Sequence, residues 1–231
     1  MRLNLHKKAY KKVLLIANGH DAYYHDLSSI AEKKYFIDPY SQKKNHLASL
    51  KHFKTYLKEN NIDKSSTKII YASGLENKKE IKKYLDNEFI VCGNSFNKYD
   101  FLSDTSNINL SMDDNILLPK TSNKYLNKYI RKRHDSSGGV NVGNKISSKN
   151  IYYQQFIPGK TYSISFITTK NKSHILGFNQ LFIIKDNIEY PYLHAGAITL
   201  GLKNSNYQNF KKWINNISDT YNIKGYCSID F

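Results

Sequence analysis

Short apolar runs alternate with amphipathic stretches along the first hundred residues. Runs of mostly apolar residues at positions 13–17, 35–37, 68–72 and 89–92 predict buried strands, because strands covered on both faces lose the in-and-out alternation of an exposed sheet. Positions spaced for one helical face predict helices over residues 22–34, 47–57 and 77–85. Because strand and helix alternate, we expect a parallel sheet with helices on its faces, which is an α/β domain over residues 1–100.

The hydrophobic pattern changes in the second half of the chain, and residues 101–231 are predicted to form an α+β domain. Residues 94–128 are rich in Asn, Asp, Ser and Thr, which predicts a linker or a small subdomain. From 162 to 166 apolar residues alternate with serine, which predicts a half-buried strand, and further strands are expected at 174–178, 181–184 and 225–231. One apolar stripe predicts a core-facing helix that begins near Asn206; its members are Phe210, Trp213, Ile214, Ile217 and Tyr221.

Bulk composition narrows the class of protein. The 231-residue chain has a formal net charge of +16, which is typical of proteins that bind polyanions. The lysines are spread along polar helix faces, and no RNA-binding motif with paired strand aromatics occurs, so a solvated surface is the preferred interpretation. No apolar run is long enough to span a bilayer or to form a signal-peptide core, so we expect a cytoplasmic protein without a membrane partner. The two cysteines fit neither a disulfide framework nor a zinc site.

A lysine followed by a glycine loop is the strongest candidate for chemistry. Lys132 lies in a short β-like run, and four small residues follow it: Ser136, Ser137, Gly138 and Gly139. Small residues let backbone N–H groups approach an anion, and the lysine adds a compact positive charge, so the segment predicts a phosphate-binding loop. An ordinary structural turn is the alternative. No GxGxxG fingerprint follows the first strand, so we predict no NAD site.

Several short motifs occur in a characteristic order. They are Tyr-Ala-Ser-Gly at 71–74, Gly-Asn-Ser at 93–95, Ser-Gly-Gly at 137–139, Gln-Phe-Ile-Pro-Gly at 155–159, Leu-Gly-Phe at 176–178 and Gly-x-x-x-Ile-Asp at 225–230. The order resembles the ATP-grasp superfamily, with residues 1–100 similar to its pre-ATP-grasp domain and residues 101–231 similar to an ATP-grasp domain. More narrowly, the motifs resemble the ATP-dependent carboligases of methylotrophs, relatives of the tyramine–glutamate ligase of methanofuran synthesis.

The resemblance assigns roles to individual residues. Lys132 matches the family lysine that reaches the phosphates of ATP, and residues 136–139 match the loop that closes over them. The hinge that holds adenine is matched by Gln154, Gln155, Phe156 and Ile157. A flat ring needs such an apolar slot with a few aimed polar groups, but plain core positions are the alternative for Phe156 and Ile157. Asp230 matches the first carboxylate ligand of magnesium, so the implied cofactors are ATP and Mg²⁺.

Two departures from the family pattern affect these roles. The family carries an earlier ATP-binding lysine, but residues 101–104 read Phe-Leu-Ser-Asp; either Lys98 or Lys120 replaces it, or this contact to ATP is lost. The family also continues to a Glu-x-Asn element that completes the magnesium site, whereas this sequence ends one residue after Asp230. We therefore expect an ATP-grasp domain that is incomplete at its C-terminal end. Because chain ends fray, we also expect a poorly held Asp230, weak ATP binding and essentially no turnover by these 231 residues.

The resemblance implies an ATP-dependent carboxylate–amine ligase that forms an acyl-phosphate and releases ADP, in the biosynthesis of a C1-carrier cofactor. Its partners are a small carboxylate and a small amine, and catalysis needs positioning and charge stabilisation rather than a side-chain nucleophile. His194 is a candidate for the acceptor site, with a structural histidine as the alternative. Two other classes stay open: a non-catalytic nucleotide-binding protein and, on charge alone, a basic nucleic-acid-binding module. The pattern also leaves the acid, the amine and the oligomeric state open.

Overall fold

The computed structural model describes residues 10–17, 31–41, 45–75, 77–103, 119–134, 139, 142–143, 150–169, 172–184, 190–201 and 206–231. The chain forms two compact units, Met1–Tyr99 and Asp100–Phe231. Three predicted loop residues, Ser136, Ser137 and Gly138, lie outside the described ranges, as do residues 104–118 in the predicted linker.

The first unit is built on a four-stranded parallel sheet, which confirms the α/β prediction. Its strands are β1 (Tyr10–Ile16), β2 (Ala31–Ile37), β3 (Thr67–Tyr71) and β4 (Ile90–Val91), in the order β2-β1-β3-β4. All three described strand pairings in this sheet are parallel. Helix α1 (Leu50–Glu59) connects β2 to β3, α2 (Lys79–Glu88) connects β3 to β4, and α3 (Phe96–Ser103) follows β4.

The core of the first unit forms where the apolar strands meet α1 and α2. Helix α1 begins after Ser49, whose hydroxyl accepts a hydrogen bond from the His52 N–H, as N-cap residues do. Phe53 in α1 is fully buried, together with Leu14 of β1 and Ile69 of β3. Removing these side chains from water is the main force that holds helix and sheet together.

The expected helix over residues 22–34 is wrong at its C-terminal end, because residues 31–34 belong to β2. Tyr10 pairs with Ala31 and Lys12 with Lys33 in the parallel ladder between β1 and β2. β2 lies at the edge of the sheet, and residues 32–34, which read Glu-Lys-Lys, are exposed there. Edge strands commonly carry charged side chains, so the hydrophobic pattern does not identify them as strands.

The second unit contains two antiparallel sheets and one long helix. The small sheet has strands β5 (Thr121–Ser122), β6 (Tyr129–Arg133) and β7 (Ile151–Gln155), in the order β5-β7-β6. The large sheet has strands β8 (Tyr162–Thr169), β9 (Lys172–Ile183), β10 (His194–Gly201) and β11 (Gly225–Asp230), in the order β10-β9-β8-β11. Helix α4 (Tyr207–Thr220) follows Asn206 and carries the predicted apolar stripe. This arrangement confirms an α+β second half.

Three elements differ from the sequence prediction. Residues 174–184, expected to form two strands, belong almost entirely to the single strand β9, and β10 was not anticipated. β10 is an edge strand with mostly exposed residues, so it lacks the alternation that marks a half-buried strand. Helix α3 begins inside the predicted linker. The Asp86 carboxylate accepts from the N–H groups of Phe96 and Asn97 at 2.9 and 3.1 Å, so α3 is capped by a residue of another helix.

The large sheet has one apolar face and one polar face. Ile164, Phe166 and Phe178 face α4 and pack with its Trp213 and Ile214. Because neighbouring side chains on a strand point to opposite faces, the residues between them point away from α4. The strand registers place several polar residues on that second face, among them Ser163, Ser165, Asn179, Thr199, Tyr226, Ser228 and Asp230. Among the described helices, none is long and apolar enough to cross a membrane.

Candidate functional site

Lys132 on β6 and Gln154 on β7 form one side of the candidate site. The antiparallel register pairs Ile130 with Gln154 and Lys132 with Tyr152, so Lys132 and Gln154 are diagonal neighbours on one face of the small sheet. Lys132 Nζ donates to Gln154 Oε1 at 2.8 Å. Burial lowers the pKa of the Lys132 ammonium, and the Asp230 carboxylate partly opposes that effect. A lysine kept where burial penalises its charge is a candidate for function.

Asp230, at the end of β11, supplies the opposite charge. It pairs with Ser163 of β8, on the polar face of the large sheet. Burial raises the pKa of the Asp230 carboxyl, and the nearby His194 and Lys132 partly offset this. The residue still keeps contact with solvent. Asp230 as a whole is exposed, so its carboxylate is accessible to a ligand although nearby protein atoms raise its pKa.

Lys132 and Asp230 act on each other without touching. Among the ion pairs that the described residues form within 4.0 Å, this pair does not occur. Each residue nevertheless shifts the pKa of the other. An ammonium and a carboxylate that influence each other without forming an ion pair suit a ligand that carries negative charge together with a cation.

Two described residues after β6, Gly139 and Val142, lie against other parts of the second unit. Val142 forms an isolated antiparallel bridge with Lys132. Gly139 has a φ of +78°, and a Cβ there would lie 1.8 Å from Tyr192 O. Any other residue would therefore need the backbone to move. Gly139 is thus packed closely against the turn that leads to His194, an exposed residue at the start of β10.

The predicted hinge residues lie at the end of β7 and in the turn after it. The N–H groups of Gln155 and Phe156 donate to Lys120 O and Lys128 O, both at 2.8 Å. Within the described residues no acceptor is recorded for the Ile157 N–H. Phe156 is 43% exposed and Ile157 55%, so the alternative that they are core residues is wrong. An exposed apolar surface with a backbone donor beside it is suited to a flat heteroaromatic ring.

The expectation that Asp230 is poorly held is wrong. All six residues of β11 pair with β8, which ends with Asp230 opposite Ser163. The next residue, Phe231, exchanges backbone hydrogen bonds of 2.8 and 2.9 Å with Tyr162. The two rings also stack, with centroids 6.0 Å apart. Chain ends fray when nothing ties them down, and here a complete ladder does.

A hydrogen-bonded cluster beside Asp230 was not anticipated from the sequence. Its members lie on four strands of the large sheet: Ser163, Ser165, Asn179, Thr199 and Tyr226. The serines at 163 and 165 are visible in the sequence as the polar half of an alternating strand. The sequence offers no signal that Asn179, Thr199 and Tyr226 join them, because strand pairing alone brings these residues together.

The part of the chain that contains Lys132 and Asp230 matches a known protein family. The model of the ATP-grasp domain family matches residues 92–231, more than half of the chain. The chain belongs to the ATP-grasp family. The candidate ATP-grasp site, from Lys132 to Asp230, lies entirely within the matched residues. No curated protein sequence matches the chain.

Solved structures share the ATP-grasp fold at low sequence identity. An ATP-grasp superfamily protein from Archaeoglobus fulgidus has a TM-score of 0.66 and 15% identity, covering 95% of this chain and 76% of its own. The biotin carboxylase domain of 2-oxoglutarate carboxylase from Hydrogenobacter thermophilus, with MgADP and bicarbonate, has a TM-score of 0.64 and 11% identity, covering 97% and 61%. D-alanine–D-alanine ligase from Bacillus anthracis with ATP has a TM-score of 0.57 and 11% identity, covering 96% and 81%. The chain thus spans about three fifths of the biotin carboxylase domain.

The ATP-grasp site can be tested for its fit to magnesium. In the part of the chain that the structure describes, no group of three or more His, Cys, Asp or Glu side chains could hold a metal ion. Magnesium bound with a nucleotide needs only one or two protein carboxylates, since phosphate oxygens and waters complete its shell. Asp230 therefore fits as one magnesium ligand of a nucleotide-bound ion, and not as part of a closed protein cage.

Proposed function

We propose that the protein is an ATP-dependent carboxylate–amine ligase that works through an acyl-phosphate and releases ADP. The observation that carries the proposal is the pair of opposite charges in an ATP-grasp domain, half-buried Lys132 and exposed Asp230, each of which shifts the pKa of the other although they form no ion pair. Charges in such surroundings lower the stability of the empty protein, so their presence is better explained by a charged ligand than by folding.

The nucleotide would lie between the two sheets of the second unit. Lys132 would bind its phosphates, and the loop of Ser136, Ser137, Gly138 and Gly139 would close over them with backbone N–H groups. The adenine would lie on Phe156 and Ile157, with the Ile157 N–H as its donor, since the N–H groups of Gln155 and Phe156 are already bonded. Gln154 would hold the Lys132 ammonium in place.

The contacts of Lys120 support it as the replacement for the missing earlier lysine. The Lys120 N–H donates to Gln155 Oε1 at 3.4 Å, and the Lys120 carbonyl accepts from the Gln155 N–H. Lys120 therefore lies beside the hinge.

The proposed reaction has two steps, phosphorylation of the acid and attack by the amine. A carboxylate oxygen of the acid attacks the γ-phosphorus of ATP, the bond from that phosphorus to the β–γ bridging oxygen breaks, and ADP leaves. The amine nitrogen then attacks the acyl carbon, the carbon–oxygen bond to phosphate breaks, and the amine gives up a proton. Lys132 and the loop N–H groups stabilise the charge that develops on the phosphoryl oxygens. Bound magnesium, with Asp230 as one ligand, would neutralise phosphate charge.

The finer assignment rests on the motifs of the sequence. The Tyr-Ala-Ser-Gly, Gly-Asn-Ser and Gln-Phe-Ile-Pro-Gly motifs support a place among the carboligases of methylotrophs, related to tyramine–glutamate ligase and acting in C1-carrier cofactor biosynthesis. His194, exposed and close to Asp230, would line the side on which the amine enters.

Calorimetric titration with MgATP, and separately with a random DNA duplex at physiological salt, tests the nucleotide assignment. We expect saturable MgATP binding, and duplex binding that collapses as the salt concentration rises. Tighter binding to the duplex without any ATP signal would overturn the proposal in favour of a nucleic-acid-binding module.

Trapping with hydroxylamine tests the ligase assignment, because acyl-phosphates react with it to give hydroxamates. The protein is incubated with MgATP, hydroxylamine and a panel of carboxylates, and ADP and hydroxamate are measured. We expect ADP and hydroxamate in equal amounts with at least one carboxylate. ATP binding without carboxylate-dependent ADP release would instead identify a non-catalytic nucleotide-binding protein.

A further inference from the structure

The polar face of the large sheet carries a connected cluster of neutral side chains next to Asp230. Asn179 Nδ2 donates to Ser163 Oγ at 3.2 Å and to Ser165 Oγ at 3.1 Å. Thr199 Oγ1 donates to Asn179 Oδ1 at 2.9 Å. Tyr226 OH donates to Ser165 Oγ at 3.1 Å. These four bonds fix the Asn179 amide and therefore the two serines.

The Ser165 hydroxyl is the member of this cluster whose bonding is incomplete. A serine hydroxyl has one donor hydrogen and two acceptor lone pairs. Both lone pairs are occupied, one by Asn179 and one by Tyr226. No acceptor for the Ser165 hydrogen is recorded in the described part of the chain. The hydrogen is therefore available to an acceptor outside the protein, and Ser165 is partly exposed.

The position of Ser165 suggests what that acceptor belongs to. Ser163 lies opposite Asp230, and Ser165 lies one step further along the same face of β8, about 7 Å away. A ligand bonded to Ser165 can therefore extend over Ser163 to Asp230. Because the five side chains of the cluster are neutral, they add no charge that would compete with Lys132 for phosphate. A hydroxyl whose lone pairs are both used can only donate, and it donates most strongly to an anion.

We infer that the cluster around Ser165 and Asn179 is the binding site for the carboxylate group of the acid substrate, with Ser165 as its direct donor. The inference rests on the proposed ligase function and adds the residues that hold the acid. Asn179, Thr199 and Tyr226 are positioning residues, because they orient Ser165 and do not contact the acid. The step they serve is the attack of that carboxylate oxygen on the γ-phosphorus, with ADP as the leaving group.

The test measures ligand binding in the presence of a non-hydrolysable ATP analogue with magnesium. The chain and its Ser165→Ala variant are titrated with acetate, glycine, L-glutamate and succinate, and the melting temperature and heat of binding are recorded. Thr169→Ala is the matched control, because Thr169 lies on the same strand and face and bonds only locally, to Lys172 O. Ser165→Thr keeps the hydroxyl and serves as the rescue variant.

We expect at least one probe to bind saturably, with roughly tenfold or weaker affinity in Ser165→Ala, since a hydrogen bond to a charged group is lost. Thr169→Ala and Ser165→Thr should retain binding. Unchanged probe affinity in Ser165→Ala, or no saturable response to any of the four probes, overturns the inference. Ser165→Ala should fold normally, because Asn179 keeps its bond to Ser163 and the exposed Tyr226 can bond water.

Two further arms separate the possible failures. Affinity for the MgATP analogue itself should be the same in Ser165→Ala and in the unmodified chain. If it falls instead, or if inorganic phosphate competes with the carboxylate probes, the cluster binds a phosphate and the inference is wrong while the nucleotide site remains. If neither protein binds the nucleotide analogue, the proposed function fails, whatever the probes do.

Discussion

Lys64 and Glu88 form an ion pair at the surface of the first unit, whereas half-buried Lys132 and exposed Asp230 in the second unit form no ion pair with each other. In the surface pair each residue stabilises the charged form of the other: Glu88 raises the pKa of Lys64, and Lys64 lowers the pKa of Glu88. At the second site, burial acts against both charges. The Lys64–Glu88 pair is neutralised within the folded protein, whereas Lys132 and Asp230 are expected to be neutralised by a bound ligand.

Phe53→Ala should destabilise the first unit without weakening nucleotide binding. The side chain is fully buried, and a Phe→Ala change in a core lowers the free energy of unfolding by about 3–5 kcal/mol. Urea unfolding gives the loss, and calorimetry below the unfolding transition gives MgATP affinity. Ile90→Ala, at a position 58% exposed in the same sheet, is the control with a small expected effect. A large drop in the MgATP affinity of folded Phe53→Ala would contradict the prediction that this core residue contributes to stability and not to nucleotide binding.

Lys132→Ala should weaken MgATP binding by roughly tenfold or more, because a hydrogen bond to a charged group contributes about 1.5–3 kcal/mol. Its melting temperature should change little, since the lost ammonium is one that burial already disfavours. Arg131→Ala removes the same charge from the opposite face of β6, where Arg131 contacts Tyr153, and should retain affinity. Equal losses in both variants would point to net charge rather than to the Lys132 position.

Asp230→Asn should stabilise the nucleotide-free protein slightly at neutral pH. Burial raises the folded-state pKa of this carboxyl above its unfolded value, so ionisation costs stability above the folded pKa. That cost disappears as the pH falls from the folded pKa to the unfolded one, and the advantage of Asn should disappear with it. The gain is small because the carboxylate keeps contact with solvent. Thermal unfolding of both proteins across acidic and neutral pH measures the difference; a neutral-pH loss of stability would contradict the pKa direction.

Lys64→Met should leave stability almost unchanged. Both members of the pair are exposed, and surface ion pairs of this kind contribute little and are screened by salt. Urea unfolding at low and high salt measures the effect. A loss as large as that of a core substitution would mean that the surface pair is part of the fold's stability after all.

The sequence predicts elements best where burial is continuous along the chain. The apolar run at 13–17 predicts β1, which is buried on both faces from Val13 to Ile16, and the stripe from Phe210 to Tyr221 predicts α4, which buries one face against a core. Sequence-based prediction fails for edge strands and for a helix whose N-terminus is capped by a residue from another helix. β2 carries Glu-Lys-Lys at an open edge, β10 is mostly exposed, and α3 is capped by Asp86 from a different helix.

The candidate site likewise contains residues that the sequence predicts and residues that only strand pairing brings together. Lys132 and Asp230 are identifiable from short motifs, and the fold brings them near enough for Asp230 to raise the pKa of Lys132. The roles of Lys132, the glycine loop and the hinge residues remain predictions, which the binding experiments above examine. The acid-binding cluster is absent from the sequence-based prediction because a serine, an asparagine and a tyrosine carry no motif by themselves.

From the sequence alone follow the buried strands of the first half, the long helix of the second, the change from a parallel to an antiparallel half and the motifs typical of the ATP-grasp family. Tertiary structure decided which side chains meet. Gln154 reaches Lys132 across 22 residues, and Ser165 receives bonds from Asn179 and Tyr226 across 14 and 61 residues. Hydrophobic periodicity reports the burial of neighbouring positions, whereas desolvation of a charge and completion of a hydroxyl's bonds depend on strands paired from distant parts of the chain.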